Sequence, residues 1–297
     1  MSTCACSAYR SVTAPKPPQV IPKGKFSNSF LARILVMKFF FQIPLHRLAT
    51  IMLMQGLLVG EGALTGMLKK LETLLAPLYL LLAEVNRNEG AWHVDETGWM
   101  HFVQAPDKQC WHWWLWVFVS PLTVVFVLDP PRSSNVPRKH FGENARGIMN
   151  CDRFSAYGKL VALIEGLTRT LCWAHFRRDF VEAGKSLTAL KPWAARIAEI
   201  YRLNNERLAV LDQPELFKAA QDALESALFA MLQSIRLELT NPGLHWQKEK
   251  VLLSALKHWD GLTVFVDNPL VPMDNNIAER ALRPGALGRK NHYGAHL

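Results

Sequence analysis

Cysteine is scarce in this 297-residue chain and shows no order: Cys4, Cys6, Cys110, Cys151 and Cys172 form neither a CxxC pair nor a repeated spacing. That excludes a disulfide framework and points to a reducing, cytoplasmic setting. Cys4 and Cys6 have no neighbouring ligand types to complete a metal knuckle, so they read as part of an inert tail and no zinc is assigned. Acidic residues are also few. Asp and Glu number 25 against 34 Lys and Arg, giving a formal charge of +9 and a pI near 9.4. That balance favours a polyanionic partner, either nucleic acid or an anionic membrane surface. No internal repeat, low-complexity tract or secretory leader is visible, since the first apolar segment follows a Pro- and Lys-containing tail without a small-residue cleavage pattern. With 49% hydrophobic and 20% charged residues the composition is that of a folded globular protein, long enough for one elaborated domain or two.

A single uncharged run raises the membrane question. Residues 109–128, QCWHWWLWVFVSPLTVVFVL, reach the ~20 residues that span a bilayer. Pro121 interrupts the run, its two halves are aromatic and β-branched, and Ser120-Pro121 is a turn signal. The sequence therefore predicts two buried strands, 112–119 and 122–128, joined by a tight turn, and no membrane partner.

Residues 1–27 read as a flexible lead-in, and residues 28–89 as a helical region broken at Pro44, Gly56, Gly60 and Gly62. PLHRLATIMLMQGLLVGEGALTGMLKKL has the layout of a helix-turn-helix, but its second helix carries few base-reading side chains, so plain packing is an equal reading. LLAPLYLLLAEV reads as a core helix. At Gly90 the pattern changes. A strand over 91–99, the hairpin, a polar connection DPPRSSNVPRKHFGENARG, a strand GIMNCD, a helix FSAYGKLVALIEG and a strand TRTLCW follow in an α/β order. Residues 173–260 are almost wholly helical in pattern, residues 267–273 close that block, and DNNIAERALRPGALGRKN opens a last helix.

Three acids in this layout can converge. Asp95, in AWHVDETGWM, lies on the first strand, Asp152 follows GIMNC directly, and Glu279 sits in the first turn of the last helix. If the first and fourth strands are neighbours, the two aspartates project from adjacent positions, and one helix packed on the sheet can bring Glu279 to them. Three carboxylates supply hard oxygen ligands for Mg²⁺, and two ions about 3.5 to 4 Å apart suit in-line phosphoryl transfer without a side-chain nucleophile. Arg177, Arg178, Arg280, Arg283, Arg289 and Lys290 supply surrounding positive charge for phosphates. Each acid also has a plainer reading. Asp95 and Thr97 can terminate a strand, Asp152 can cap the turn into FSAYGKL, and Glu279 can be the N3 member of a capping box opened by Asn276. Asp274 is a further cap or a competing ligand, and Glu96 is expected only to shape the strand end.

The stretches HVDETGW, PRSSNVPRKHFG, CDRFSAYGKL, LCWAHFRRDF and DNNIAERALRPGALGRKN stand in the same order as in the insertion-sequence-66 (IS66) family of bacterial DDE transposases, which the chain resembles from about residue 18 to 291. The resemblance implies an α/β fold: a ribonuclease-H-like mixed-sheet core over 90–297 with a helical insertion at about 173–266. It implies Asp95, Asp152 and Glu279 as catalytic ligands of two Mg²⁺ ions, with Mn²⁺ as a substitute. The implied reaction is cleavage of DNA at the element's ends with water, followed by attack of the freed 3′-hydroxyl on target DNA. Arg177, Arg178, Arg280, Arg289 and Lys290 are assigned to DNA, and His175 either to phosphate or to a buried hydrogen-bonded role. Asn275 and Asn276 are expected to position the Glu279 helix, and Arg283 to pair with Glu279. Double-stranded DNA and further copies of the chain are the implied partners, in the bacterial cytoplasm and at the nucleoid when bound. Full members carry a cysteine-rich region before this part and a helical region after it, neither visible here. Two expectations therefore stand side by side: an active transposase, and a DNA-binding remnant without catalysis.

Overall fold

The structure, a computed structural model, describes residues 17–100 and 112–292. Cys4, Cys6, Cys110 and most of the expected lead-in lie outside the described residues. The chain divides into two compact units, 1–76 and 77–297.

The first unit contains α1 (Asn28–Leu35), a π-helical turn (Val36–Phe40), α2 (Leu45–Met54) and the first part of α3 (Glu61–Arg87). Ser27 starts α1 by accepting the Phe30 amide at 3.2 Å, which satisfies one of the donors a helix start leaves open. Pro44 precedes α2, and Gly56, at φ 80°, follows it in a left-handed conformation that favours glycine. Ile21, Leu31, Ile34, Leu48, Met52, Val59, Leu64, Met67 and Leu71 make this unit's small core.

In the second unit the remainder of α3 departs from expectation. It is helical, but Leu78, Leu80 and Leu81 are 51%, 66% and 55% exposed, so LLAPLYLLLAEV is not a core helix. A run of consecutive apolar residues surrounds a helix on all sides, and only one face of this one is covered, at Ala83 and Asn86. Asn86 is fully buried and satisfied: its Nδ2 donates to Phe118 O at 3.1 Å and Ser120 Oγ at 2.8 Å, and its Oδ1 lies 2.8 Å from His140 Nε2.

Five strands form one mixed sheet, β1 (Ala91–Met100), β2 (His112–Val119), β3 (Val124–Asp129), β4 (Gly147–Cys151) and β5 (Leu167–Leu171), in the order β3-β2-β1-β4-β5. The first three are antiparallel, and β4 and β5 run parallel to β1. The uncharged run supplies β2 and β3, closed by the Ser120 amide on Thr123 O at 2.9 Å. Among the described residues no helix is long and apolar enough to cross a membrane. The polar connection after β3 holds a helix the composition concealed, α4 (Asn135–Phe141). Its Val136, Pro137, His140 and Phe141 recur at helical spacing and are buried.

α5 (Ser155–Leu163) links β4 to β5, and five helices follow: α6 (Trp173–Ser186), α7 (Lys191–Leu208), α8 (Pro214–Leu239), α9 (Trp246–Lys257) and α10 (Trp259–Asp267). This insertion closes on itself, because the Trp173 amide at its start donates to Met273 O just past its end, at 2.8 Å. The last helix, α11 (Asn276–His292), then returns to the sheet. On one sheet face Trp92, Val94, Trp116, Phe118 and Met149 pack with Tyr157 and the insertion's Trp173 and Phe176 in a continuous core. On the other, Val117 and Val119 meet Ala278 and Leu282 of α11. Strand order, strand directions and the insertion after β5 fit the ribonuclease-H-like α/β core.

The junction of β1 and β4 depends on one glycine. Gly147 has φ 143°, and a Cβ there would lie 2.0 Å from Gly90 O, the same oxygen that accepts the Ile148 amide at 2.9 Å. Gly147→Ala is expected to destabilise the protein by about 3 kcal/mol or more, through strained backbone and a direct clash, read as a lowered urea midpoint.

Candidate active site

Period-2 alternation on β1 sends Trp92, Val94 and Glu96 into the main core and turns His93, Asp95 and Thr97 to the face that carries α11. Asp95 Oδ1 accepts the Glu96 amide at 2.9 Å. The parallel register pairs His93 with Asn150, so two residues further on stand Asp95, within β1, and Asp152, just past the end of β4. Asp152 Oδ1 accepts the Phe154 amide at 2.8 Å, which realises the turn-capping role and occupies one of its oxygens.

Glu279 reaches this face because the start of α11 is fastened to β1. Asn275 is fully buried; its Nδ2 donates to Val94 O at 2.8 Å and its Oδ1 lies 3.0 Å from His93 Nδ1. Its backbone oxygen accepts the Ala278 and Glu279 amides at 3.1 and 3.3 Å. Asn276 donates to Asp274 Oδ2 at 3.2 Å, and Asp274 Oδ1 accepts both the Ala174 amide at 3.0 Å and the Tyr201 hydroxyl. Asp274 therefore serves as a cap on the first turn of α6.

Burial pushes the Asp95 carboxyl up to about 7, and the acids around it, Glu96 first and then Asp152 and Glu279, push in the same direction against the Glu96 amide. Three acids from three elements thus share one electrostatic field. His93 is held below its usual value, chiefly by burial and also by Arg280. Among the described residues no group of three His, Cys, Asp or Glu side chains is gathered closely enough to hold a metal ion. Glu279 Oε1 lies 3.5 Å from His175 Nε2 and 4.0 Å from Arg178 Nη2. The donor chemistry nevertheless fits Mg²⁺: these are hard oxygens in mutual repulsion, and Mg²⁺ is commonly held by one or two carboxylates with water and substrate phosphates.

Arg177, Arg178, Arg280, Arg283 and Lys290 are exposed. Two expectations change. Glu279 lies against His175 and Arg178 in place of Arg283. Arg289, expected on DNA, turns inward and donates to Gly98 O and to Thr97 Oγ1, the latter at 3.4 Å. Ala278, Leu282, Gly285 and Arg289 follow helical spacing along the sheet-facing stripe of α11, which explains its direction.

The sequence reading missed the partners of Glu96. Its side chain is 1% exposed, receives Arg132 Nη2 at 2.6 Å and Nε at 2.9 Å on Oε1, and accepts the Tyr157 hydroxyl on Oε2. Burial raises its pKa, while Tyr157 and Arg132 oppose the rise. Arg153, next to Asp152, pairs with Asp179 of α6 and donates to Ser254 Oγ of α9 at 3.0 Å. A signal was present: Glu96 is an acid at a buried strand position, which calls for a cation, and both arginines lie inside motif stretches.

Residues 23–296 match the family described as Transposase IS66 family. The uncharacterized protein y4jD of Sinorhizobium fredii is 28% identical over 97% of this chain and 59% of its own length. The uncharacterized proteins y4qI and y4hP of the same organism are 27% and 28% identical over 94% and 93% of this chain, and in each case 54% of their own. The chain thus spans between half and three fifths of the length of these curated relatives. A match running from the first helical unit through all five strands to α11 places the chain in the IS66 family of transposases.

Proposed function

We propose that this chain is the core of a DNA transposase that cleaves DNA at the ends of an insertion sequence and joins the freed 3′ end to target DNA, with Asp95, Asp152 and Glu279 at the reaction centre. The observation that carries this reading is the register that sets Asp95 and Asp152 each two residues beyond the His93–Asn150 pair, with the first turn of the Glu279 helix fastened to Val94 by Asn275; burial among these acids raises the Asp95 carboxyl to about 7. Such a repulsive cluster is unfavourable in isolation and is relieved by a cation. Two Mg²⁺ ions, or Mn²⁺ in their place, held by the three carboxylates would activate a water or the DNA's 3′-hydroxyl by favouring its deprotonation and would stabilise charge on the phosphoryl oxygens.

The chain's own side chains bind and orient. Asn275 fixes the Glu279 helix on β1, and Arg177, Arg178, Arg280 and Lys290 offer positive charge to the backbone of double-stranded DNA. Arg178 stands 4.0 Å from Glu279, so a phosphate drawn to Arg178 competes with Glu279 for it. Further copies of the chain are expected partners, and the nucleoid in the cytoplasm its place of action.

A second reading, a DNA-binding remnant without catalysis, is favoured by one observation: Glu279 rests against His175 and Arg178, away from a closed three-ligand group. Incubating the purified chain with duplex DNA carrying the element's ends separates the two. Mg²⁺-dependent nicking is expected, with binding that weakens with log salt at a slope of about −0.9 per phosphate contact, or about −4 for Arg177, Arg178, Arg280 and Lys290 together. Binding without nicking leaves the remnant reading; no binding overturns both.

A further inference from the structure

We propose that Glu96, Arg132 and Tyr157 form a brace, buried at Glu96 and Tyr157 and open to solvent at Arg132, that sets the spacing of Asp95 and Asp152, acting as positioning residues on the sheet face opposite those acids; this rests on the metal-site reading above. Adjacent residues on a strand point to opposite faces, so immobilising Glu96 fixes the rotation of β1 at Asp95. Glu96 is gripped on both oxygens, by Arg132 on Oε1 and by Tyr157 on Oε2.

The same two residues reach Asp152 through Phe154. The Arg132 guanidinium lies 4.0 Å from the Phe154 ring centroid and 4.5 Å from that of Trp114. Tyr157 meets the Phe154 ring edge-on at 5.9 Å and Trp116 at 6.0 Å. The Phe154 amide in turn holds Asp152 Oδ1 at 2.8 Å. One cluster thus grips the residue after Asp95 and the amide that orients Asp152. An ion pair with one partner open to solvent adds little stability, so the contribution of Glu96 and Arg132 here is geometric. Groups that orient metal ligands from behind typically change metal affinity 10- to 100-fold when removed.

The test is calorimetric titration of the purified full chain with Mn²⁺ and with Mg²⁺, without DNA, and with melting curves for every variant. Wild type should bind and Asp95→Asn should lose binding. Tyr157→Phe and Arg132→Lys leave the net charge unchanged, and each is expected to weaken Mn²⁺ binding roughly tenfold while the protein stays folded. Two variants are used so that a failure of one to fold leaves the other to decide. If both bind Mn²⁺ as wild type does while Asp95→Asn does not, the brace is overturned and the metal site stands. Weakening by Glu96→Gln alone is a charge effect and overturns it equally. If wild type shows no binding, or Asp95→Asn binds as well as wild type, the metal-site reading fails and the brace with it.

Discussion

Replacing Asp95 by Asn is expected to abolish Mg²⁺-dependent strand cleavage and, in the same protein, to raise the melting temperature of the metal-free chain. The loss of activity follows from removing one of the three charged ligands proposed for the metal ions. A drop of about a thousandfold or more, equivalent to about 4 kcal/mol of transition-state stabilisation, is the scale expected. Asp152→Asn and Glu279→Gln are expected to show the same loss in the nicking assay, and retained activity in all three would sink the assignment. The gain in stability comes from the raised carboxyl. Asp95 moves from 3.8 to about 7 on folding, so between those values the folded state holds a proton that the unfolded state has released. Stability therefore falls as pH rises through this window and stays at the lower level above it. Asn cannot ionise, yet keeps an oxygen for the Glu96 amide that Asp95 now binds at 2.9 Å. The variant should escape the loss, by an amount on the order of 2–4 kcal/mol at pH 8 and by little near pH 4. Melting wild type and variant side by side across pH 4–8, with chelator present, measures it; parallel curves would contradict it.

Asn275→Ala is expected to cost about 3 kcal/mol and to reduce cleavage by more than the fraction unfolded explains. The side chain is fully buried, and its removal leaves Val94 O without its 2.8 Å donor and His93 Nδ1 without its partner at 3.0 Å. Both lost contacts lie within two residues of Asp95, and the first turn of α11 that they anchor carries Glu279. Asn275→Asp preserves size but sets an acceptor against the Val94 carbonyl, so it should do no better. Urea midpoints give the stability term, and cleavage at a temperature where the variants remain folded gives the rest. An Asn275→Ala protein with normal cleavage would remove the fastening role.

Sequence periodicity made the sheet legible. Alternation in AWHVDETGWM, the β-branched halves around Ser120-Pro121 and the short run GIMNC each foretell a strand, and their order makes Asp95 and Asp152 neighbours once β1 pairs with β4. The helical start at Asn276 was equally plain. What periodicity could not supply was pairing between distant side chains. Glu96 read as a residue shaping the strand end because nothing local marks Arg132 and Tyr157 as its partners. Arg289 read as DNA-facing because charge predicts solvent, whereas its place on the buried stripe of α11 sends it to Gly98. α4 went unread because three prolines and a cluster of polar residues masked a short apolar stripe.

The hydrogen bond from Trp173 to Met273 has a bearing on the order of folding events. Joining those two residues shortens the effective path from β5 to α11, from about a hundred residues to a few, and the loop-closure entropy of that excursion is then met once, by the insertion. Until it is met, Glu279 hangs at the end of a long tether, and its local concentration at β1 is low. The sheet and its two aspartates can form early from nearer contacts, whereas the third acid arrives only after five helices have assembled. A nascent chain with a half-folded insertion would carry two site acids in place and the third not yet delivered.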